Sequence, residues 1–111
     1  MTSYNKWDIV LVKFPFTSST TTKKRPALIL STNKIDGTES CTILMITSDI
    51  KSKNYGDYTI KNWREAGLPK PAVVKMRFAT IPTSIIDKKI SQLDKKDIDY
   101  IIDKIIEFLT H

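Results

Sequence analysis

Two side chains in this sequence are suited to phosphate chemistry. Arg25 stands in the basic run Lys23-Lys24-Arg25-Pro26, and Thr47 ends the apolar run Thr42-Ile43-Leu44-Met45-Ile46-Thr47. A guanidinium stays protonated at any working pH and offers a planar fork of donors that matches phosphate oxygens. A hydroxyl held at the end of a strand can donate to the same group from a rigid base. Each residue also has a plainer reading: Arg25 fits a surface salt bridge, and Thr47 fits a strand threonine favoured by β-propensity. Asp49, close to Thr47, is a candidate general base, or else a turn cap together with Ser48.

Further cations, Lys51, Lys53, Lys61, Arg64, Lys70, Lys75 and Arg77, fall mostly in loops and at strand ends. Tyr55, Tyr58, Trp63 and Phe78 are interleaved with them. Bases stack on aromatic faces while phosphates pair with cations, so the accumulation favours a groove for single-stranded nucleic acid. Taken singly, each of these residues fits a solubility charge or a core aromatic equally well. Neither a metal nor a cofactor is expected: the one histidine is His111, the one cysteine is Cys41, and they lack zinc-ligand spacing.

The 111 residues are expected to form one domain, 1–111, and a hydrophobic fraction of 41% argues against disorder. A net charge of +6 and a pI near 9.5 point to polyanionic partners. No apolar run approaches the roughly 20 residues that span a bilayer, so no membrane association is expected. Residues 1–7 have no signal-peptide core. A single cysteine excludes an intramolecular disulfide and fits a reducing cytoplasm.

These residues must be positioned by strands. Residues 8–14 are almost continuously apolar and β-branched, which predicts a strand buried on both faces. The hydroxyl-rich stretch 17–22 predicts a loop. A second strand is expected over 25–31, a turn at Asp36-Gly37 within 33–39, and a third strand over 42–47. Short strands follow at 58–60, at 72–76 and 79–81 around a kink, and at 90–93; residues 62–67 form a turn stopped by glycine. Asp94 as N-cap and Asp97 in the first turn open a helix whose Ile98, Ile101, Ile102, Ile105, Ile106 and Leu109 make one apolar stripe. Core packing is the first reading of that stripe, a partner groove the second. Short strands with a terminal helix predict a mainly β fold with α, a small SH3-like half-open barrel.

Asp8 through Phe16, followed by Lys24-Arg25-Pro26-Ala27-Leu28-Ile29-Leu30-Ser31, resembles the opening hairpin of the MazF/PemK/Kid toxins of bacterial toxin–antitoxin systems, which share their barrel with the CcdB toxins. Ile46-Thr47-Ser48 resembles the family's third-strand motif. Gly67-Leu68-Pro69-Lys70-Pro71-Ala72-Val73-Val74-Lys75 is similar to a segment of the PemK-like branch, and the resemblance spans nearly the whole chain. It implies a dimeric, metal-independent endoribonuclease that cuts single-stranded RNA at short sequences and is inhibited by an acidic antitoxin. Arg25 and Thr47 correspond to its catalytic residues. Lys23, Lys24, Ser48, Lys51, Lys53, Lys75 and Arg77 are then expected to hold RNA.

Attack of a 2′-OH on the neighbouring phosphate would leave a 2′,3′-cyclic phosphate and a 5′-OH. The chain departs from the family where Trp7 replaces a glycine, predicting a different first turn. It departs again in the loop 17–24, which lacks glycines and the histidine of one branch. Lys75 and Arg77 stand where that branch has an arginine and an aspartate. Two rivals remain: a gyrase-binding toxin of the CcdB type, since fold does not fix function, and a basic RNA-binding module without turnover.

Overall fold

The computed structural model describes residues 4–14, 23–52 and 54–111. The loop expected over 17–22 and Lys53 lie outside the described residues. Six strands form one antiparallel sheet: β1 (Asp8–Phe14), β2 (Lys23–Ile35), β3 (Thr38–Thr47), β4 (Tyr58–Thr59), β5 (Val73–Pro82) and β6 (Ile86–Gln92). Their order across the sheet is β4-β5-β3-β2-β1-β6, which leaves β4 and β6 as edges. Helix α1 (Lys95–Thr110) follows. The result is the half-open, mainly β architecture expected, with a C-terminal helix.

Strand β1 is buried on both faces because each face meets a different core. Ile9 packs with Leu28, Leu44, Ile46, Val74 and Ile101 of α1. Val10 and Val12 point the other way, into a cluster with Ala27, Ile29, Cys41 and Ile43. Alternation along the strand thus serves both sides of a curved sheet.

β2 and β3 extend beyond the apolar runs that predict them, to Ile35 and from Thr38. The turn between them has only two residues, Asp36 at φ 50° and Gly37 at φ 81°. Two consecutive left-handed residues make the tight hairpin turn whose twist matches the strands, and Asp-Gly supplies both. Polar residues such as Thr32, Lys34 and Glu39 therefore remain strand, exposed where the β2–β3 hairpin runs out to its turn.

At the start of β1 Trp7 adopts φ 72°, a conformation normally left to glycine. Its N–H donates to the Ile29 carbonyl at 2.7 Å, and its carbonyl accepts from the Leu93 N–H at 2.9 Å. These bonds on either side hold the strained backbone, while the ring packs against the helix-side core. The expected change of turn is thus a change of side chain on a backbone path that glycine readily adopts.

The kink expected within residues 72–81 is a bulge. Ile46 pairs with Val74 and Leu44 with Phe78, so Lys75, Met76 and Arg77 together oppose Met45. The helix expectation holds at its start: Asp94 is the N-cap and accepts from the Lys96 N–H at 3.1 Å. Its stripe divides, with Ile98, Ile101, Ile105 and Phe108 on the core and Ile102, Ile106 and Leu109 exposed.

Candidate active site

A cleft of about 570 Å³ opens where β2 begins and β3 ends. Lys24, Arg25 and Pro26 form one side, Ile46, Thr47 and Ser48 the adjoining one, and the segment from Leu68 to Ala72 the wall opposite. Leu11 and Ile90 add apolar surface. Strand register explains the meeting of Arg25 and Thr47. Ala27 pairs with Met45 at the last rung of the β2–β3 ladder, and Arg25 and Thr47 lie two residues beyond it, one on each strand.

Thr47 is held ready to donate. Its Oγ1 accepts the Asp49 N–H at 3.1 Å, which fixes one lone pair and leaves the hydroxyl proton for another acceptor. The Asp49 carboxylate accepts the Lys51 N–H at 3.1 Å and so caps the single helical turn Ile50–Ser52. This bond accounts for the cap reading of Asp49. Lys24 is tied to β6, its Nζ 3.2 Å from Asp87, with Lys13 at 3.7 Å from the same carboxylate. Lys24 foremost, then Lys13, hold the Asp87 carboxyl below the usual carboxylate range.

The opposite wall is pinned from behind. Gly67, at φ 74°, brings the chain so close to β6 that an added Cβ would lie 3.3 Å from the Ser91 Cβ. The Leu68 N–H donates to the Trp63 carbonyl at 3.0 Å, and the Ile60 N–H to Ala72 at 2.9 Å. Buried Asp97 of α1 accepts from the Lys61 and Asn62 N–H groups at 2.9 Å each and from the Tyr58 hydroxyl at 2.5 Å. Burial first, then this carboxylate, push the Tyr58 phenol well above its ordinary range. The helix thereby holds Tyr58 of β4 and residues 61 and 62, from which the chain leads on to the wall.

Of the residues expected to hold RNA, Lys24 and Ser48 line the cleft beside Arg25 and Thr47. Lys51 is exposed just beyond, in the capped turn. The side chain of Lys23 and the whole of Lys53 lie outside the described residues. Lys75 is placed elsewhere: it is buried, its Nζ 2.7 Å from the Asp57 carboxylate, whose other contacts are the N–H groups of Met76 and Asn54 at 2.8 Å. Burial opposes charge on Asp57, but Lys75 and the two N–H donors outweigh it and hold the carboxyl below its ordinary value. The pair sits at the β5 bulge, where the ladder is interrupted and a backbone donor needs a partner.

Arg77 is exposed on that bulge and does not line the cleft. Tyr58 is a core residue, and Trp63 is half-buried against the core with Arg64 over its ring at 5.0 Å. No aromatic side chain lines the cleft among the described residues. What sequence reasoning missed is that Leu68 and Pro69 wall the cleft beside Lys70, one of the cations expected in a groove; the Gly-Leu-Pro-Lys-Pro pattern was the available signal. Among the described residues no three His, Cys, Asp or Glu side chains gather as a metal site, and no helix is long and apolar enough to cross a membrane.

An arginine and a threonine thus meet at the mouth of a basic cleft on a small half-open barrel. The model of the PemK-like, MazF-like toxins of type II toxin–antitoxin systems matches residues 5–109, and the chain belongs to that family. Among solved structures it is similar to the Mycobacterium tuberculosis toxin MazF-mt6, with a TM-score of 0.68 and 20% identity. That likeness covers 92% of this chain and 95% of the other, and it bears on the fold. No curated protein sequence matches the chain.

Proposed function

We propose that this chain is a sequence-specific, metal-independent endoribonuclease toxin acting on single-stranded RNA in the cytoplasm. The observation that carries the reading is the meeting of Arg25 and Thr47, from two different strands, in one cleft that Lys24 and Lys70 also line. When a 2′-OH attacks its neighbouring phosphate, negative charge gathers on the non-bridging oxygens. The guanidinium of Arg25 and the oriented hydroxyl of Thr47 donate to those oxygens, and one such preorganised donor is worth about 3–4 kcal/mol. Arg25 acts only as a charge and donor, since arginine does not give up its proton in proteins. The 2′-OH gives up its proton to solvent as its oxygen bonds to phosphorus, the P–O5′ bond breaks, and the 5′ oxygen takes a proton from solvent, leaving a 2′,3′-cyclic phosphate and a 5′-OH.

An acidic antitoxin segment would compete for the same cations. The uncovered stripe of Ile102, Ile106 and Leu109 suits contact with a second protomer or another protein. The test is incubation of a long mixed-sequence RNA with the protein in EDTA, beside Arg25→Ala and Thr47→Ala, with cut ends mapped by primer extension. Discrete cuts lost in both variants support the reading. Products with 5′-phosphate ends, or strict dependence on Mg²⁺, would sink it. RNA bound but uncut would favour a binding module, and gyrase inhibition surviving Arg25→Ala would favour the CcdB-like alternative.

A further inference from the structure

We infer that Pro69, backed by buried Leu68, forms a base-reading platform, and that Lys70 beside it carries a backbone phosphate. The inference rests on the RNA reading above. The cleft has two chemical halves: Lys24, Arg25, Lys70, Thr47 and Ser48 supply charge and donors, while Leu11, Pro26, Ile46, Leu68 and Pro69 supply apolar surface. A phosphate alone needs only the first half. A flat, weakly hydrated ring joined to a phosphate needs both, and a nucleotide within an RNA chain is such a ligand.

The wall is also stiff. Pro69 and Pro71 fix their own φ angles and bias the residues before them toward extended geometry. Gly67 is packed close against Ser91, and Leu68 is buried with its N–H bonded to Trp63. A platform that does not give can exclude a base of the wrong size, whereas a mobile loop would close on any of them. Contacts to phosphate set position and contacts to the base set sequence. Lys70 therefore belongs to affinity, and Leu68 with Pro69 to specificity at one position of the cut sequence.

The division of labour gives the test. Cut-site maps and equilibrium binding to short single-stranded RNAs differing at one base are compared for the wild type, Leu68→Met, Pro69→Ala, Lys70→Ala and Arg25→Ala, with folding checked by thermal melting. Leu68→Met keeps the volume of a core residue and guards against loss of fold in larger changes. The expected result is a shift in base preference at a single position, by roughly tenfold or more, in Leu68→Met or Pro69→Ala. Lys70→Ala should weaken binding evenly across sequences, and Arg25→Ala should stop cutting while base preference in binding persists. Unchanged preference in both platform variants, with cutting or binding intact, overturns the inference. A wild type that binds with a Leu68-dependent preference but never cuts would keep the platform and remove the nuclease. RNA neither bound nor cut would remove both.

Discussion

Arg25 and Thr47 stand at the ends of β2 and β3 beside solvent, whereas Lys75 and Asp57 pair at 2.7 Å with side chains 9% and 4% exposed. Both regions use a basic side chain from the same sheet, yet to opposite ends. At the cleft Lys24, Arg25 and Lys70 converge on an opening to solvent, with Lys24 also held by Asp87 of β6. At the bulge of β5 a cation and two backbone donors converge on one carboxylate, so the group is internally satisfied. A basic residue in this fold serves a ligand or the protein according to whether the topology brings a buried acid to it.

The comparison can be broken most forcefully at Lys75. Lys75→Met leaves Asp57 buried without its counter-ion and should cost about 3–5 kcal/mol in urea unfolding, with the double variant Asp57→Asn/Lys75→Met recovering much of it. A variant of unchanged stability but weakened RNA binding would instead return Lys75 to the ligand side. Arg25→Ala should behave in the reverse way, losing on the order of 10²–10³-fold in cleavage rate, about 3–4 kcal/mol of transition-state stabilisation, with its melting temperature hardly moved. Asp97→Asn, which weakens the hold on Lys61, Asn62 and Tyr58, should cost about 1–3 kcal/mol of stability, read by urea unfolding.

Acid sharpens the same contrast with a smaller effect. The Asp57 carboxyl titrates lower in the folded than in the unfolded chain, so the unfolded state takes up the proton first. Its contribution is present above the ordinary aspartate value of about 4 and is lost as pH falls through the lower folded value. Stability measured from pH 6 downward should fall less steeply over that window in Asp57→Asn/Lys75→Met than in the wild type. An identical slope would mean that other carboxylates carry the acid sensitivity.

Local signals were read well from the chain. The Asp94 cap, the Asp36-Gly37 turn and the two-faced burial of β1 each follow from a few adjacent residues. Arg25 and Thr47 were legible because each ends or begins an apolar run that must be a strand. Strand lengths were not, since the outer parts of β2 and β3 are polar and their pairing is held by a hairpin rather than by periodicity. The fate of Lys75 was hidden as well, because a partner 18 residues away leaves no periodic trace. Asp97 looked like a first-turn helix acid, and only tertiary packing shows that its carboxylate reaches the backbone of residues 61 and 62.

That reach of Asp97 has a consequence for the order in which the molecule is made. Arg25, Thr47 and Leu68 all leave the ribosome before the carboxylate that anchors Tyr58, Lys61 and Asn62, upstream of the cleft's far wall. Until Asp97 has emerged and its helix has docked, the emerging chain carries the residues of the site without that anchor. A ribosome making this protein is thus accompanied by an unfinished cleft, and the last fastening comes from the segment synthesised after every residue that lines it.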